Sequence, residues 1–208
     1  MPMTTTLPSL LPVLEQELPT YISVDVETAG PTPAEFALLS IGACTLPAPR
    51  KTFYIELQPD RPAFSPTAMD VHNLDPLRLA ADGKPPKEAM QAFADWLAEV
   101  MPEHASPVFV AFNAPFDWMF VNDYFIRYTG DNPFGHSAID IKAFFMGRVG
   151  VPWRQTSKRF IDSTLPEPSP LTHHALEDAL VQADLFLKVA DGRLGDLDRL
   201  RLPHQHSY

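Results

Sequence analysis

The order of hydrophobic periods constrains this chain most. Residues 21–27 alternate, with Ile22, Val24 and Val26 on one face and Ser23, Asp25 and Glu27 on the other. That pattern predicts a strand with one buried face. Residues 38–46 and 52–57 predict two more strands, parted by the turn-rich Pro47-Ala48-Pro49. Short connections between three early strands predict an antiparallel meander. The period then changes. Met90, Phe93, Trp96, Leu97 and Val100 space a helix over 87–100. Residues 108–112 read as a short buried strand, 115–128 as a helix and 138–141 as a further strand. Leu176, Ala179, Ala183, Phe186 and Ala190 stripe a helix over 175–190, and Gly192 offers its stop. Strands first, then strands alternating with helices, predict an α/β fold with a mixed central sheet flanked by helices.

Composition limits what such a fold can be. The 208 residues suit one principal domain, read here as 20–192, after a proline-rich segment 1–19 and before a tail 193–208. The 23 prolines are spread out, and Pro31, Pro62, Pro66, Pro85 and Pro86 read as loop stiffeners. Cys44 is the sole cysteine and cannot form an internal disulfide, which points to a reducing, cytoplasmic compartment. No apolar run approaches the roughly 20 residues that cross a bilayer, so no membrane partner is expected. Residues 1–20 lack Lys and Arg, and so lack the basic start of a signal peptide. Sixteen basic against 26 acidic side chains give a net charge of −10. That excludes a non-specific polycation, but a nucleic-acid enzyme needs only a favourable local field.

Three groups of residues could carry chemistry. Asp25 and Glu27 point the same way from their strand, about 6.5–7 Å apart. Two acids on a core strand repel each other unless a divalent cation compensates, and hard oxygen ligands select Mg2+ or Mn2+. Taken alone, the pair fits a solvated face equally well. Asn113 and Asp117 follow the strand at 108–112 and open the next helix. Asn113 suits a cap and Asp117 suits the helix dipole, so neither demands a site. Asp178 lies near the apolar stripe of the last helix, on the sheet side. His173, five residues earlier, falls on the loop before it and suits a general base. His174 reads as a loop histidine without a role, Cys44 as packed, and Asp140 as a structural acid at a strand end.

Together, Asp25-Val26-Glu27-Thr28-Ala29-Gly30, Asn113-Ala114-Pro115-Phe116-Asp117 and His173-x-Ala175-x-x-Asp178 resemble the three motifs of the DEDDh 3′–5′ exonucleases, a family with the ribonuclease H-like fold. The likeness spans roughly residues 20–190 and is strongest to the ribonuclease T branch. Asn132-Pro133-Phe134, Ala138-Ile139-Asp140 and the stretch from Ser65 to Pro76 add to it. The chain departs from that branch at Pro31 and Val71, where the branch has aromatics that stack on terminal bases, and at Phe112, often histidine in the family.

The resemblance implies a two-metal site for phosphodiester hydrolysis, with Asp25, Glu27, Asp117 and Asp178 as ligands of two Mg2+ or Mn2+ ions. His173 would take the proton from the attacking water. Thr28, Gly30 and Asn113 would meet the substrate. The implied reaction releases nucleoside 5′-monophosphates from the 3′ end of single-stranded DNA or RNA, and the branch implies a homodimer. Alternatives are a proofreading-type DNA exonuclease that accompanies a polymerase, and a catalytically silent binding module of the same fold. Residues 141–161 hold Lys142, Arg148, Arg154, Lys158 and Arg159 and no acid, interleaved with Phe144, Phe145, Trp153 and Phe160. Arg154 and Lys158 are read as phosphate contacts, and the aromatics as core.

Overall fold

Five strands form one sheet in the order β3-β2-β1-β4-β5. They are β1 (Tyr21–Thr28), β2 (Leu38–Thr45), β3 (Thr52–Glu56), β4 (Val108–Ala111) and β5 (Ala138–Asp140). The computed structural model describes residues 7–165, 171–192 and 194. β1 pairs with β2, and β2 with β3, antiparallel; β4 pairs with β1, and β5 with β4, parallel. This is the mixed sheet expected, its first three strands antiparallel. The helices are α1 (Leu11–Leu14), α2 (Pro66–His72), α3 (Pro76–Asp82), α4 (Pro86–Val100), α5 (Ala114–Tyr128), α6 (Ile141–Val149), α7 (Lys158–Asp162) and α8 (Ala175–Asp191).

Each face of the sheet has its own core. Ile22, Val24 and Val26 pack with Met90, Phe93 and Leu97 of α4 and with Phe120, Val121 and Phe125 of α5. On the other face, Tyr21, Cys44 and Val110 pack with Ile141, Phe145 and Val149 of α6 and with Ala183, Phe186 and Val189 of α8. β1 is therefore buried on both faces, not on one. The small Ala179 and Ala183 let α8 settle onto the polar face of the strand. Ser23 is buried there, and its hydroxyl donates to the Ala179 carbonyl at 2.7 Å. A buried hydroxyl that finds such an acceptor escapes most of its desolvation cost.

Two other expectations need correcting. Pro66 and Pro86 do not stiffen loops; with Pro76 they open α2, α4 and α3. Proline tolerates the first helical turn because its missing N–H has no partner there anyway. α6 was not foreseen. Ile141, Phe145 and Val149 carry it at four-residue spacing, but Phe144 and Met146 beside them blur the period. Residues 7–19, set outside the principal domain above, lie against the second core through Leu7, Leu14 and Leu18. The Leu10 N–H donates to the Ala190 carbonyl at 2.8 Å, and the Arg148 guanidinium donates to the Pro8 carbonyl. Apart from Leu194, the tail 193–208 lies outside the described residues. No helix among the described residues is long and apolar enough to cross a membrane.

Candidate active site

β4 pairs with β1 only over Tyr21–Ser23. Beyond Ser23 the two strands part, and the Val26 N–H is met instead by the Asp117 carboxylate at 3.2 Å. Asp117 stands in the first turn of α5 and is buried. The opening lies past the carboxyl ends of parallel strands, where chain connections leave the sheet in opposite directions. Open α/β sheets place ligands at that point.

Glycine brings the last acid to the same place. Asp25 faces Gly42 across the β1–β2 ladder. A Cβ on Gly42 would stand 2.1 Å from the Ala175 carbonyl carbon and from the Leu176 nitrogen. Without that atom, the start of α8 lies directly on β2. Asp178, Ala179, Gln182 and Ala183 then turn toward the sheet, all buried. Asp178 accordingly lies on the sheet side, as its offset from the stripe predicts.

Asp178 also holds the loop before it. Its Oδ1 accepts from the Thr172 N–H at 2.7 Å and the Thr172 hydroxyl at 3.2 Å, and its Oδ2 accepts from the His173 N–H at 3.0 Å. His173 has φ of 60°, in the left-handed region that residues other than glycine rarely occupy. Such strain persists where surrounding bonds fix it, often at functional sites. The His173 side chain remains exposed. One ring nitrogen of His173, one Glu27 oxygen and one Asp178 oxygen all lie within 4.8 Å of one another. The neighbouring His174 takes the N-cap position of α8 without a side-chain cap bond, and its ring stacks on Tyr54 with centroids 4.5 Å apart.

Gln182, one turn after Asp178, went unnoticed in the sequence. Its amide nitrogen donates to Asp25 Oδ1 at 2.5 Å, and its amide oxygen accepts the Phe112 N–H at 2.8 Å. A polar residue inside an otherwise apolar stripe was the available signal. Gly42, interrupting an apolar strand, was the corresponding signal for the close helix.

The acids load each other electrostatically. Burial lifts the Asp25 carboxyl well above its ordinary range, and Asp117, Glu27 and Asp178 push it further. Glu27 is pushed up to about 7, first by burial and then by Asp178. Asp117 is raised mainly by burial, with Glu27 and Asp140 adding to it. A crowd of hard oxygens whose ionised forms repel is a donor set suited to divalent cations.

The remaining candidates divide. Thr28 is buried at the end of β1, and its hydroxyl donates to the Gly30 carbonyl at 2.9 Å. Gly30 leaves room for the Phe36 ring, which a Cβ would meet at 2.3 Å. Asn113 takes the N-cap position of α5 but makes no side-chain cap; its Oδ1 accepts from Lys142 Nζ at 3.1 Å. Asp140 is structural, accepting the Ala143 and Ala114 N–H groups at 2.7 Å each and so joining two helix starts. Arg154 is exposed. Lys158 is engaged by both Asp162 oxygens, at 2.7 and 2.8 Å. Cys44 is packed, and burial pushes its thiol up to about 12. Phe145 is core, as expected, whereas Trp153 is 54% exposed.

Comparison with known proteins shows that a chain with this sheet and this cluster of acids is a nuclease. The exonuclease family model RNase_T matches residues 22–186. The 3′–5′ DNA exonuclease Cap18 of Escherichia coli is 45% identical over 166 residues, which is 80% of this chain and 89% of that protein. The chain belongs to the DEDDh family of 3′–5′ exonucleases. Among solved structures it is similar to the nuclease domain of 3′hExo, a DEDDh family member bound to rAMP, with a TM-score of 0.67 and 13% identity. That likeness covers 84% of this chain and 95% of the other. A 3′-exonuclease that recognises a histone mRNA stem-loop gives a TM-score of 0.67 at 13% identity, over 83% of this chain and 64% of that one. E. coli exonuclease I in complex with a dA16 oligonucleotide gives 0.60 at 15%, over 82% of this chain and 42% of that one. At such low identity the solved structures establish the fold alone.

Proposed function

We propose that this protein is a divalent-metal-dependent exonuclease that shortens single-stranded nucleic acid stepwise from a free 3′ end, releasing nucleoside 5′-monophosphates. The observation that carries the reading is the convergence of Asp25, Glu27, Asp117 and Asp178, with His173 within 4.8 Å of two of them. DNA is the substrate we place first, because the relative at 45% identity is a DNA exonuclease.

The four carboxylates would hold two Mg2+ or Mn2+ ions, which supply the positive charge that phosphodiester hydrolysis draws on. Asp117 holds the Val26 amide while turning toward the cluster, so β1 and α5 keep a fixed spacing. Asp178 fixes the backbone of 172–173, and with it the origin of the His173 side chain. The exposed imidazole stands where it can take a proton from an attacking water onto a ring nitrogen. Thr28 and Gly30 shape the floor beside the 3′-terminal nucleotide. Asn113 and the exposed Arg154 face the strand path. Lys158 serves it only by leaving Asp162.

Labelled 3′-tailed DNA and RNA, incubated with Mg2+ or Mn2+, test the reading. Wild type should produce a ladder of shortened strands that a chelator abolishes, while circular strands survive. Asp178→Asn and His173→Ala should leave the linear strands intact. Intact linear strands with wild type in both metals would refute the proposal.

A further inference from the structure

Trp153 is the exposed one of the three tryptophans. It opens a 3-10 turn, Trp153–Gln155, after α6. Its carbonyl accepts the Thr156 N–H at 3.0 Å and the Thr156 hydroxyl at 2.8 Å, so the turn is fixed. The Lys142 ammonium lies 4.5 Å from the indole centroid and 6.0 Å from the Phe112 centroid. A cation held over the ring favours one orientation of the indole. The same ammonium donates to Asn113 Oδ1, and the Phe112 N–H is held by Gln182, which also holds Asp25. One unbroken run of contacts thus joins Asp25 to Trp153.

Trp153 is 54% exposed, so packing accounts for only part of so large a ring. A cation at its face, in a chain of net charge −10, adds a phosphate-sized attraction at the same spot. We infer that Trp153 and Lys142 form a stacking subsite for a base of the single strand, upstream of the nucleotide being released. The indole offers a flat face that any base can cover, and the ammonium keeps N–H groups for the adjoining phosphate. This subsite rests on the exonuclease reading and deepens it.

Fluorescence anisotropy of a 5′-labelled strand of about twelve thymidylates tests it, in an Asp25→Asn background that stops hydrolysis. Trp153→Ala should weaken binding about tenfold, and Trp153→Phe should restore most of the loss. A strand of the same length without bases should bind the parent and Trp153→Ala alike. Lys142→Ala should lower the salt dependence of binding. Equal affinity of the parent and Trp153→Ala for the thymidylate strand would overturn the subsite. So would an equal loss on the strand without bases. If wild type shortens DNA but Trp153→Ala binds normally, the subsite alone falls. If wild type neither binds nor shortens any strand, the exonuclease reading falls with it.

Discussion

Gln182 ties a strand end to Asp25 with one amide. Replacing it by Leu removes the donor to Asp25 Oδ1 and leaves the half-buried Phe112 N–H, just past β4, unpaired. Groups that orient metal-binding carboxylates commonly matter 10–100-fold. Gln182→Leu should raise the Mg2+ concentration for half-maximal activity by about that factor, measured by metal titration of strand shortening. Glu27 makes a second prediction. Its carboxyl keeps a proton up to about pH 7 in the folded protein, against an ordinary value of 4.5. Between those values the folded chain binds a proton that the unfolded chain has released. Its contribution to stability is therefore full below pH 4.5 and lost as the pH rises through about 7. In thermal melts without metal, wild type should lose ground to Glu27→Gln between about pH 5 and pH 8. Mg2+ should raise the Tm of wild type more at the upper pH, where protons no longer compete for the oxygens.

At the scale of elements, Gly42 decides whether α8 can reach β2. Gly42→Ala should cost about 1–3 kcal/mol of stability and most of the activity, because the start of α8 must shift. Gly147→Ala in α6 meets nothing within 4 Å and should stabilise by about 0.5–1 kcal/mol. Denaturant melts of the two variants should move in opposite directions. The pair also shows why some elements were legible and others not. β1 and α8 have clean periods, so the sequence places Asp25, Glu27 and Asp178 on them correctly. α2, α3 and α6 were missed because proline at a helix start looks like proline in a loop, and because neighbouring aromatics mask a stripe. The second burial of β1 was missed for a different reason. Ser23, Asp25 and Glu27 look solvated until a distant helix covers them.

Over the whole molecule, residues 7–20 belong to the folded body. Removing residues 1–17 strips Leu7 and Leu14 from the second core and takes Pro8 from Arg148. The loss should be about 2–4 kcal/mol, read from urea unfolding against the full chain. The sequence hides this contact, since Pro8 and Pro12 interrupt the run in which Leu7, Leu10, Leu14 and Leu18 recur. The resemblance to the exonuclease motifs names the acids, but their convergence depends on strand order and on α8 crossing β2. Neither is encoded locally. The basic stretch shows the same limit. Its cations look alike in sequence, yet Arg148 binds backbone carbonyls, Lys158 binds Asp162 and Lys142 covers an indole.

The bonds from Thr172 and His173 to Asp178 have a consequence for inheritance. The acid that would help hold a cation is also the anchor of the His173 loop. A copy of this chain with one changed codon at position 178 would lose both duties together, whereas loss at Asp117 would leave the histidine docked. Drift toward a silent form should therefore pass most abruptly through that position.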